Sequence, residues 1–260
     1  MKKYYVIGNP IEHSLSPELH NFWIRKNNIN AVYEKIKLEE NELEEFINKL
    51  RNDEIHGINV TVPFKNKVIK YLDKLSLEVE TTDSVNTIYK SGKDIIGHNT
   101  DVAGFELSLR HSKINVLHKS IFILGAGGVV SSIVYSLLSM GCKKIFLSNR
   151  TYEKAESIKK KFHEIEILNW GEIPDFDIAI NATSVGLRGD GLDLTINVKD
   201  KIFYDVIYNP KETPFLKKAK ENGNKTENGK FMFIYQANQS FSIWNNMIPK
   251  INSEVIKILE

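Results

Sequence analysis

The fold class of this chain is decided by the stretch Ile121-Phe122-Ile123-Leu124-Gly125-Ala126-Gly127-Gly128. Its four apolar residues predict a short buried strand. The uncharged segment that follows, Val129 to Met140, predicts a buried helix. Glycines between a strand and a helix permit a tight turn and let backbone N–H groups approach a pyrophosphate at the helix N-terminus. The stretch therefore predicts the first βα unit of a dinucleotide-binding domain.

The glycine pattern itself is a variant. The third glycine of G-x-G-x-x-G would fall at residue 130, where this chain has Val. A variant pattern alone is a weak indication, and the alternative is a loop that needs positive φ and binds nothing. The position of the glycines between a buried strand and a buried helix favours nucleotide binding by Gly125, Ala126, Gly127 and Gly128.

Strand and helix patterns alternate regularly from residue 121 onward. The further strand candidates are Lys144–Ser148, Ile165–Leu168, Asp177–Asn181 and Ile202–Val206. The helix candidates between them are Tyr152–Phe162 and Pro214–Asn222. Such alternation predicts a parallel sheet with helices on both faces, as in a Rossmann-type domain.

The end of the second strand in this series favours one of the two common dinucleotides. NAD-binding folds usually place Asp or Glu there, about 20 residues beyond the glycine loop, to bind the ribose 2′-hydroxyl. Here the strand ends in Asn149-Arg150-Thr151, with Lys154 one turn later and no carboxylate at the tip. Guanidinium and hydroxyl groups can bind a 2′-phosphate through charge-assisted hydrogen bonds, so the sequence predicts NADP. The alternative is that Arg150 is a solvated surface charge and that Thr151 caps a helix.

The first hundred residues also alternate strands and helices. The strand candidates are Tyr4–Ile7, Val32–Leu38 and Ile58–Val62, and a hairpin about Ser91-Gly92 joins Val85–Tyr89 to Ile95-Ile96. Helix candidates begin at Ser16-Pro17, a serine N-cap followed by proline, and at Leu43, where apolar residues recur through Leu50. The tail from Phe231 is predicted to be helical and split by Pro249. The whole chain is therefore predicted to be α/β.

Four polar clusters interrupt this first part of the chain at predicted strand ends or in loops. They are Ser14 with Ser16, Asn59 to Lys65, Asn86-Thr87, and Asn99-Thr100-Asp101. The two serine hydroxyls can converge on a carboxylate, whereas Ser16 is equally a good N-cap. Lys65 follows Pro63 into a loop, where most lysines are solvated surface charges. Asp101 is equally a candidate helix cap, so each cluster on its own admits a structural interpretation.

The composition excludes several classes of function. The 260 residues carry 35 Lys plus Arg against 33 Asp plus Glu, and a net charge of +2 gives no reason to expect nucleic acid or an anionic membrane as a partner. The uncharged stretch from Ser120 to Cys142 is long enough for a membrane span, but its glycines and serines divide it into a strand and a helix. The one cysteine cannot form an intramolecular disulfide, which favours a cytoplasmic protein. Seven histidines and one cysteine form no ligand cluster, so no metal site is predicted.

Taken together, these clusters resemble the shikimate dehydrogenases in residue identity and in order along the chain. The matching stretches are Gly8 to Pro17, Asn59 to Lys65, Val85-Asn86-Thr87, Gly97 to Asp101, Gly125 to Gly128, Asn149-Arg150-Thr151, Asn181 to Gly186, Asp205 to Pro210 and Gly229 to Trp244. They cover nearly the whole chain, and agreement by chance at so many places is implausible. The resemblance implies an enzyme that reduces the small molecule 3-dehydroshikimate to shikimate with NADPH, in the biosynthesis of chorismate and aromatic amino acids.

The resemblance also implies a role for each matching residue. Lys65 and Asp101 would be the catalytic acid–base pair. The substrate-binding residues would be Ser14, Ser16, Thr61, Asn86, Tyr208 and Gln236. The cofactor-binding residues would be Gly125, Ala126, Gly127, Gly128, Asn149, Arg150, Thr151, Lys154 and Thr183. The chemistry fits these residue types, because hydride addition to a ketone leaves charge on oxygen and a lysine ammonium can supply the proton.

A domain division follows from the place of Gln236 near the C-terminus. If Gln236 binds substrate, the tail must return to the first part of the chain. We therefore expect a substrate-binding and catalytic domain of residues 1–103 and 232–260, completed by C-terminal helices. The NADP-binding Rossmann domain, residues 104–231, would be an insertion in it.

Some positions depart from the family pattern. Asp83-Ser84 and Val102 stand where smaller residues are usual, and the polar stretch Asn224 to Glu227 stands where a last strand is expected. Two alternatives stay open for the function. One is a related oxidoreductase that also acts on quinate, with NAD, and the other is a sensor that binds nucleotide and ligand without turnover. The oligomeric state, including a homodimer, is open as well.

Overall fold

The computed structural model describes residues 1–259. The chain divides into two compact units. Unit 1 comprises Met1–Gly104 and the chain from Ile234 onward, and unit 2 comprises Phe105–Phe233. Among the described residues, no helix combines the length and the hydrophobicity that a membrane span needs.

The strands of unit 1 form a mixed sheet. They are β1 (Lys2–Gly8), β2 (Ala31–Lys37), β3 (Gly57–Val60), β4 (Lys74–Leu75), β5 (Thr87–Ser91) and β6 (Asp94–His98). The helices up to the unit boundary are α1 (Ser16–Lys26), α2 (Leu43–Arg51), α3 (Leu77–Thr82) and α4 (Thr100–His111), the last of which continues into unit 2. In the part of the chain that the structure describes, the strand order is β2-β1-β3-β5-β6-β4. β1 is parallel to β2 and β3, whereas β5 is antiparallel to β3 and β6.

One edge of this sheet collects the polar clusters found in the sequence. β1 and β3 are parallel and in register, so the connections that follow Gly8 and Val60 leave at the same edge. β5 begins at this edge and β6 ends there, because Thr87 lies opposite both Asn59 and His98. The segments before β5 and after β6 therefore reach the same place. We call it the polar edge, defined by Gly8, Val60, Thr87 and His98.

Unit 2 is a parallel sheet with helices on both faces. Its strands are β7 (Ser120–Leu124), β8 (Lys144–Ser148), β9 (Ile165–Leu168), β10 (Ile178–Asn181), β11 (Ile202–Asp205) and β12 (Lys225–Glu227). Its helices after α4 are α5 (Val130–Ser139), α6 (Tyr152–Lys159) and α7 (Pro214–Glu221). Within the described residues the order is β12-β11-β10-β7-β8-β9 with every neighbouring pair parallel. This is the doubly wound order, which reverses between β7 and β10.

Alternate residues of β7 pack into two different hydrophobic clusters. Ile121 and Ile123 pack with residues of α5 and α6, whereas Phe122 and Leu124 pack with residues of α7. Burial on both faces explains the continuous apolar run in the sequence. The predicted α/β class with a Rossmann-type sheet is confirmed. Ligands of such sheets bind at the carboxyl ends of the strands near the reversal, which is where Gly125 follows β7.

The tail forms α8 (Lys230–Asn245) and α9 (Ser253–Ile258), with Pro249 between them as predicted. The part of α8 in unit 1 packs on the sheet through Trp244. That ring stacks on Tyr4 with centroids 5.0 Å apart, and its Nε1 donates to Ile88 O at 3.1 Å. A Cβ on Gly57 would lie 2.4 Å from the same Nε1, so glycine in β3 lets the indole approach.

The polar segment from Asn224 to Glu227 contains the last strand, β12, although polar residues are unusual in a strand of this sheet. It is an edge strand paired with β11, so its side chains can face solvent. The Asn224 side chain donates to Val198 O at 2.9 Å and to Ala219 O at 3.0 Å, and it accepts from Lys201 N at 3.0 Å. These side-chain hydrogen bonds hold Asn224, the residue directly before β12, in place.

Asp83 adopts a conformation that explains why glycine is usual there. It is the C-cap of α3, with φ of 50° and ψ of 37°, and its N–H donates to Val79 O. Glycine adopts the left-handed region without a steric penalty, whereas a side chain is disfavoured there. The aspartate therefore carries backbone strain at this position.

Candidate functional site

Lys65 and Asp101 meet at the polar edge of unit 1. Lys65 lies in the connection after β3, and Asp101 lies in the first turn of α4. Lys65 Nζ is 2.5 Å from Asp101 Oδ2, and the two side chains are 14% and 9% exposed. The ammonium thus has a short charge-assisted hydrogen bond where little water enters, and the helix N-terminus also favours the carboxylate. The structure brings together the two residues that were predicted as the catalytic pair.

Asn86 joins this pair to the rest of the polar edge. Its Nδ2 donates to Asp101 Oδ1 at 2.9 Å and to Thr100 Oγ1 at 2.9 Å, and its Oδ1 accepts from Thr100 N at 2.7 Å. Gln236 Oε1, on α8, lies 3.5 Å from Asn86 Nδ2. The two oxygens of Asp101 therefore have different partners, Lys65 and Asn86, which fixes the plane of the carboxylate.

The helix-cap alternative for Asp101 is wrong. Its backbone N–H donates to Asn99 Oδ1 at 3.0 Å, so Asn99 supplies the side-chain bond to the start of α4. The Asp101 carboxylate is left to bind side chains. Asn99 thus caps the helix through its side-chain amide, and Asp101, two residues later, keeps its carboxylate for the side chains of the site.

A buried hydroxyl cluster of Thr87, Thr100 and Ser240 lies against Asn86. Ser240 Oγ is 2.7 Å from Thr87 Oγ1 and 3.1 Å from Thr100 Oγ1, and it accepts from Asn59 Nδ2 at 3.0 Å. These bonds tie α8 to β3 and β5. Sequence analysis missed Ser240. Its signal is the spacing of four residues from Gln236, which puts both residues on one helix face.

Neutral aromatic residues support Asn59 from the other side. Tyr33 OH donates to Asn59 Oδ1 at 2.7 Å, and burial raises the pKa of Tyr33 well above its ordinary value. His20 stacks on Tyr33 with centroids 4.2 Å apart, and burial lowers the pKa of His20 to about 3. Both rings are therefore uncharged near neutral pH, and they add no charge to the electrostatics of the polar edge.

The predicted substrate hydroxyls lie in connections at the polar edge. Leu15, not Ser16, occupies the N-cap position of α1, so the N-cap interpretation of Ser16 is wrong. Ser14 Oγ accepts from Ser16 N at 3.3 Å, a structural role that the sequence did not show. Thr61 directly follows β3, with its methyl group facing Gly8. A serine hydroxyl that accepts one bond still has its proton to donate, so the bond leaves Ser14 able to bind an anion.

Gly125 makes the turn after β7 in unit 2. Its φ is +106°, and a Cβ there would lie 2.8 Å from the backbone carbonyl of Ala182, so conformation and space both require glycine. A Cβ on Gly127 would have Ala182 O at 3.8 Å as its neighbour, which leaves room beside the loop. Val130, where the motif has its third glycine, is completely buried in the core. The loop therefore keeps the features that admit a pyrophosphate, and the variant position serves packing.

The end of β8 supplies a polar and basic group of residues. Asn149 Oδ1 accepts from Ala126 N at 3.1 Å, and Asn149 Nδ2 donates to Thr151 O at 2.7 Å, so Asn149 ties the glycine loop to the start of α6. Thr151 is the N-cap of α6 but forms no side-chain cap bond. Arg150, Thr151 and Lys154 are exposed, and within residues 1–259 neither basic side chain is engaged in an ion pair. These groups fit a dinucleotide that carries a 2′-phosphate.

A second loop lies beside the glycines at the end of β10. Asn181 Oδ1 accepts from Thr183 N at 3.1 Å and from Thr183 Oγ1 at 2.7 Å. Asn181 Nδ2 donates to Asp205 Oδ2 at 3.0 Å. Tyr208 follows β11 and stacks on Phe233, with centroids 4.4 Å apart. Sequence analysis assigned roles to Thr183 and Tyr208, and it included Asn181 and Asp205 in the stretches that match the family without giving either residue a role of its own.

The sheet order, the glycine loop at its reversal and the basic residues after β8 define an α/β protein built to bind a dinucleotide. Comparison with known proteins narrows this class. Residues 6–88 match a family described as shikimate dehydrogenase substrate binding domain, and residues 108–187 match a family described as shikimate / quinate 5-dehydrogenase. The chain is 56% identical over 263 residues to a shikimate dehydrogenase (NADP(+)) of Pelagibacter ubique, with 100% of this chain and 99% of the relative covered. The chain belongs to the shikimate dehydrogenase family.

Solved structures agree with this membership. A shikimate 5-dehydrogenase of Listeria monocytogenes, in complex with shikimate and NAD, superimposes with a TM-score of 0.91 at 30% identity, covering 100% of this chain and 96% of that chain. A shikimate 5-dehydrogenase of Thermus thermophilus, in complex with NADP(H) and shikimate, has a TM-score of 0.90 at 27% identity, covering 100% of this chain and 98% of that chain. The predicted family is confirmed, and the roles of individual residues stay predictions.

Proposed function

We propose that this chain catalyses the reversible reduction of 3-dehydroshikimate to shikimate with NADPH, a step in the biosynthesis of chorismate and aromatic amino acids. The observation that carries the proposal is the Lys65–Asp101 hydrogen bond at the polar edge. It occurs in a chain whose curated relatives are named shikimate dehydrogenase (NADP(+)). A lysine held by a carboxylate is the proton donor that a carbonyl reduction needs.

The proton step follows from the geometry of this pair. NADPH, when bound, supplies a hydride to the carbonyl carbon of the substrate. As negative charge develops on the carbonyl oxygen, the Lys65 ammonium donates a proton to it, and the C=O bond becomes C–OH. Asp101 accepts a hydrogen bond from Nζ and so holds the ammonium in one direction. In the reverse reaction the neutral Lys65 amine takes the hydroxyl proton.

Hydroxyl and amide groups would orient the substrate. Ser14 and Ser16 would donate to its carboxylate, and Thr61, Asn86 and Gln236 would bind its hydroxyls or its carboxylate. Support comes from the sheet topology, which brings three of the connections that carry these residues to one edge, and from the contact between Asn86 and Gln236. The resemblance also implies that Tyr208 contacts substrate.

Unit 1 is accordingly proposed as the substrate-binding and catalytic domain, and unit 2 as the NADP-binding domain. The loop Gly125, Ala126, Gly127 and Gly128 would bind the pyrophosphate through backbone N–H groups. The 2′-phosphate would be bound by Asn149, Arg150, Thr151 and Lys154. Thr183 would contact the dinucleotide from the loop after β10. The family match to a substrate binding domain at residues 6–88 supports this division.

The test is the appearance of NADPH absorbance when purified protein is mixed with shikimate and NADP. We expect turnover, with faster rates for NADP than for NAD and for shikimate than for quinate. Faster rates with NAD and quinate would favour the related oxidoreductase. Tight binding of shikimate without turnover would favour a sensor and overturn the proposal.

Two further properties belong to the proposal. The single cysteine, Cys142, offers no intramolecular disulfide, which suits the cytoplasm. Association into a homodimer stays a prediction, and sedimentation equilibrium would measure it.

A further inference from the structure

Asp205 is a buried carboxylate that the proposed mechanism does not use. It ends β11 and is 0% exposed. Its Oδ2 accepts from Asn181 Nδ2 at 3.0 Å and from Thr213 Oγ1 at 2.6 Å, and its Oδ1 accepts from Ile207 N at 3.0 Å. These three partners are neutral, and burial raises the pKa of Asp205 to about 6. The fold therefore retains a costly charge where a neutral side chain would be less destabilising.

The Asp205 carboxylate permits only one orientation of the Asn181 amide. Asn181 directs Nδ2 at Asp205 and at Val185 O, 3.2 Å away, and directs Oδ1 at the N–H and hydroxyl of Thr183. A flipped amide would place its oxygen against the carboxylate and its NH₂ against the Thr183 N–H. An ionised carboxylate only accepts hydrogen bonds, so it selects the observed orientation.

Thr183 transmits this orientation to the loop beside the glycines. Its hydroxyl donates to Asn181 Oδ1 and accepts from Val185 N at 3.1 Å, which fixes the turn. A Cβ on Gly125 would lie 2.9 Å from Thr183 Cγ2, so the two loops are in close contact. In this fold a dinucleotide crosses the reversal of strand order, with its 2′-substituted ribose near the end of β8 and its other half toward β10.

We propose that Asp205 is a positioning residue. Through the amide of Asn181 it sets Thr183 and residues 182–186 to receive the nicotinamide half of NADP. The inference rests on the proposed function for its substrate and cofactor. Arg150 and Lys154, at the end of β8, bind the other half and do not depend on Asp205.

The variant Asp205→Asn tests the proposal. An asparagine can present its oxygen to Ile207 N, but its NH₂ would then face Asn181 Nδ2 and turn that amide. The double variant Asp205→Asn with Asn181→Asp restores the bond between the two positions, because Asn at 205 donates to Asp at 181 and the aspartate accepts from Thr183. It gives up the bond from residue 181 to Val185 O at 3.2 Å. Asp177→Asn is the control, because it makes the same substitution in the same sheet away from the proposed site. Its carboxylate accepts from Ser120 N at 2.9 Å at the opposite end of the same sheet.

Binding is measured by calorimetry with two ligands, NADP and adenosine 2′,5′-bisphosphate, which carries only the adenosine half. For Asp205→Asn we expect NADP affinity about tenfold weaker, as the loss of one to two hydrogen bonds implies, and unchanged affinity for the bisphosphate. We expect kcat with shikimate to fall by about 10–100-fold. The double variant should recover part of both losses, because the bond from residue 181 to Val185 O stays lost, and Asp177→Asn should match wild type.

Three results would overturn the proposal. They are wild-type NADP affinity in Asp205→Asn, equal loss of both ligands, and a double variant that binds the bisphosphate but not NADP. Circular dichroism reports folding, and if Asp205→Asn does not fold, the double variant decides. Failure of the double variant to fold as well would show that Asp205 serves folding and would also overturn the proposal. A wild-type protein without turnover would refute the proposed function instead, while the comparison of the two ligands still decides the role of Asp205.

Discussion

Replacement of Lys65 by alanine should lower kcat by about 10²–10⁴-fold, with a smaller change in KM for shikimate. This corresponds to about 3–5 kcal/mol of transition-state stabilisation. The loss is expected in kcat because the proton moves only as charge develops on the carbonyl oxygen. Asn86, the other side chain bound to Asp101, cannot replace the acid, because an amide does not release a proton near neutral pH.

The folded structure should survive this substitution. Asp101 would keep its hydrogen bond from Asn86 Nδ2 at 2.9 Å and its place in the first turn of α4, where the helix N-terminus favours negative charge. We therefore expect a loss of about 1–3 kcal/mol in the free energy of unfolding, less than removal of one partner from a fully buried pair. Urea denaturation measures it, and Lys65→Met repeats the test with the side-chain volume retained.

The assay is the initial rate of NADPH formation from shikimate and NADP. Lys67→Ala is the control, because Lys67 lies two residues away and pairs with Glu40 on the surface, where its side chain is 36% exposed. It should retain wild-type kcat. An unchanged kcat in Lys65→Ala would falsify Lys65 as the proton donor, and equal losses in Lys65→Ala and Lys67→Ala would show a general effect of charge.

Three further predictions test other parts of the chain. Arg150→Ala should raise KM for NADP about tenfold by removing a charge-assisted bond to the 2′-phosphate, and it should leave KM for NAD unchanged. Initial rates with each cofactor measure the two KM values, and an equal rise in both would contradict a 2′-phosphate site. Asp83→Gly should raise the free energy of unfolding by about 0.5–1 kcal/mol in urea denaturation, because Asp83 has φ of 50°, a conformation that glycine adopts without strain. A decrease in the free energy of unfolding would show that the Asp83 side chain stabilises the fold by more than its backbone strain destabilises it. The folded-state pKa of Asp205, about 6, lies above the unfolded value of about 3.9, so the native state holds that proton more tightly. The free energy of unfolding of wild type should therefore fall by up to about 3 kcal/mol relative to that of Asp205→Asn as pH rises from about 4 to 7. Urea denaturation across this pH range measures it, and a difference between the two proteins that does not vary with pH would refute the effect of burial on the pKa.

The parallel sheet of unit 2 could be predicted because its strands are apolar runs between amphipathic helices. The predicted strands Lys144–Ser148 and Ile165–Leu168 agree with the structure to the residue. In unit 1 the two-residue strand β4 and the six-residue helix α3 were not predicted, since neither shows a hydrophobic period in its own sequence. Hydrophobic periodicity indicates burial along several residues, and an element that forms through contacts with neighbouring elements need not show it.

The polar edge could not be predicted from spacing. Lys65 and Asp101 are 36 residues apart, and they meet because β5 is antiparallel to both β3 and β6, so that β6 returns the chain to the edge where β3 ends. The resemblance to a family named these residues, whereas base rates made Lys65 a surface lysine. Ser240 was not predicted because its spacing of four residues from Gln236 shows only a shared helix face, and not that Asn59 of β3, Thr87 of β5 and Thr100 of α4 contact it.

Two aspartates at the ends of apolar segments show what sequence reasoning lacked. Asp101 follows β6 and Asp205 ends β11, and both could equally be caps, ligands or acids. The structure separates them by their partners: Asp101 binds a cation, whereas Asp205 accepts from three neutral donors and has its pKa raised by burial to about 6. In the proposed function Asp101 directs the Lys65 ammonium, whereas in the further proposal Asp205 orients the Asn181 amide. The same residue type is therefore proposed for two functions, and its hydrogen-bond partners distinguish them.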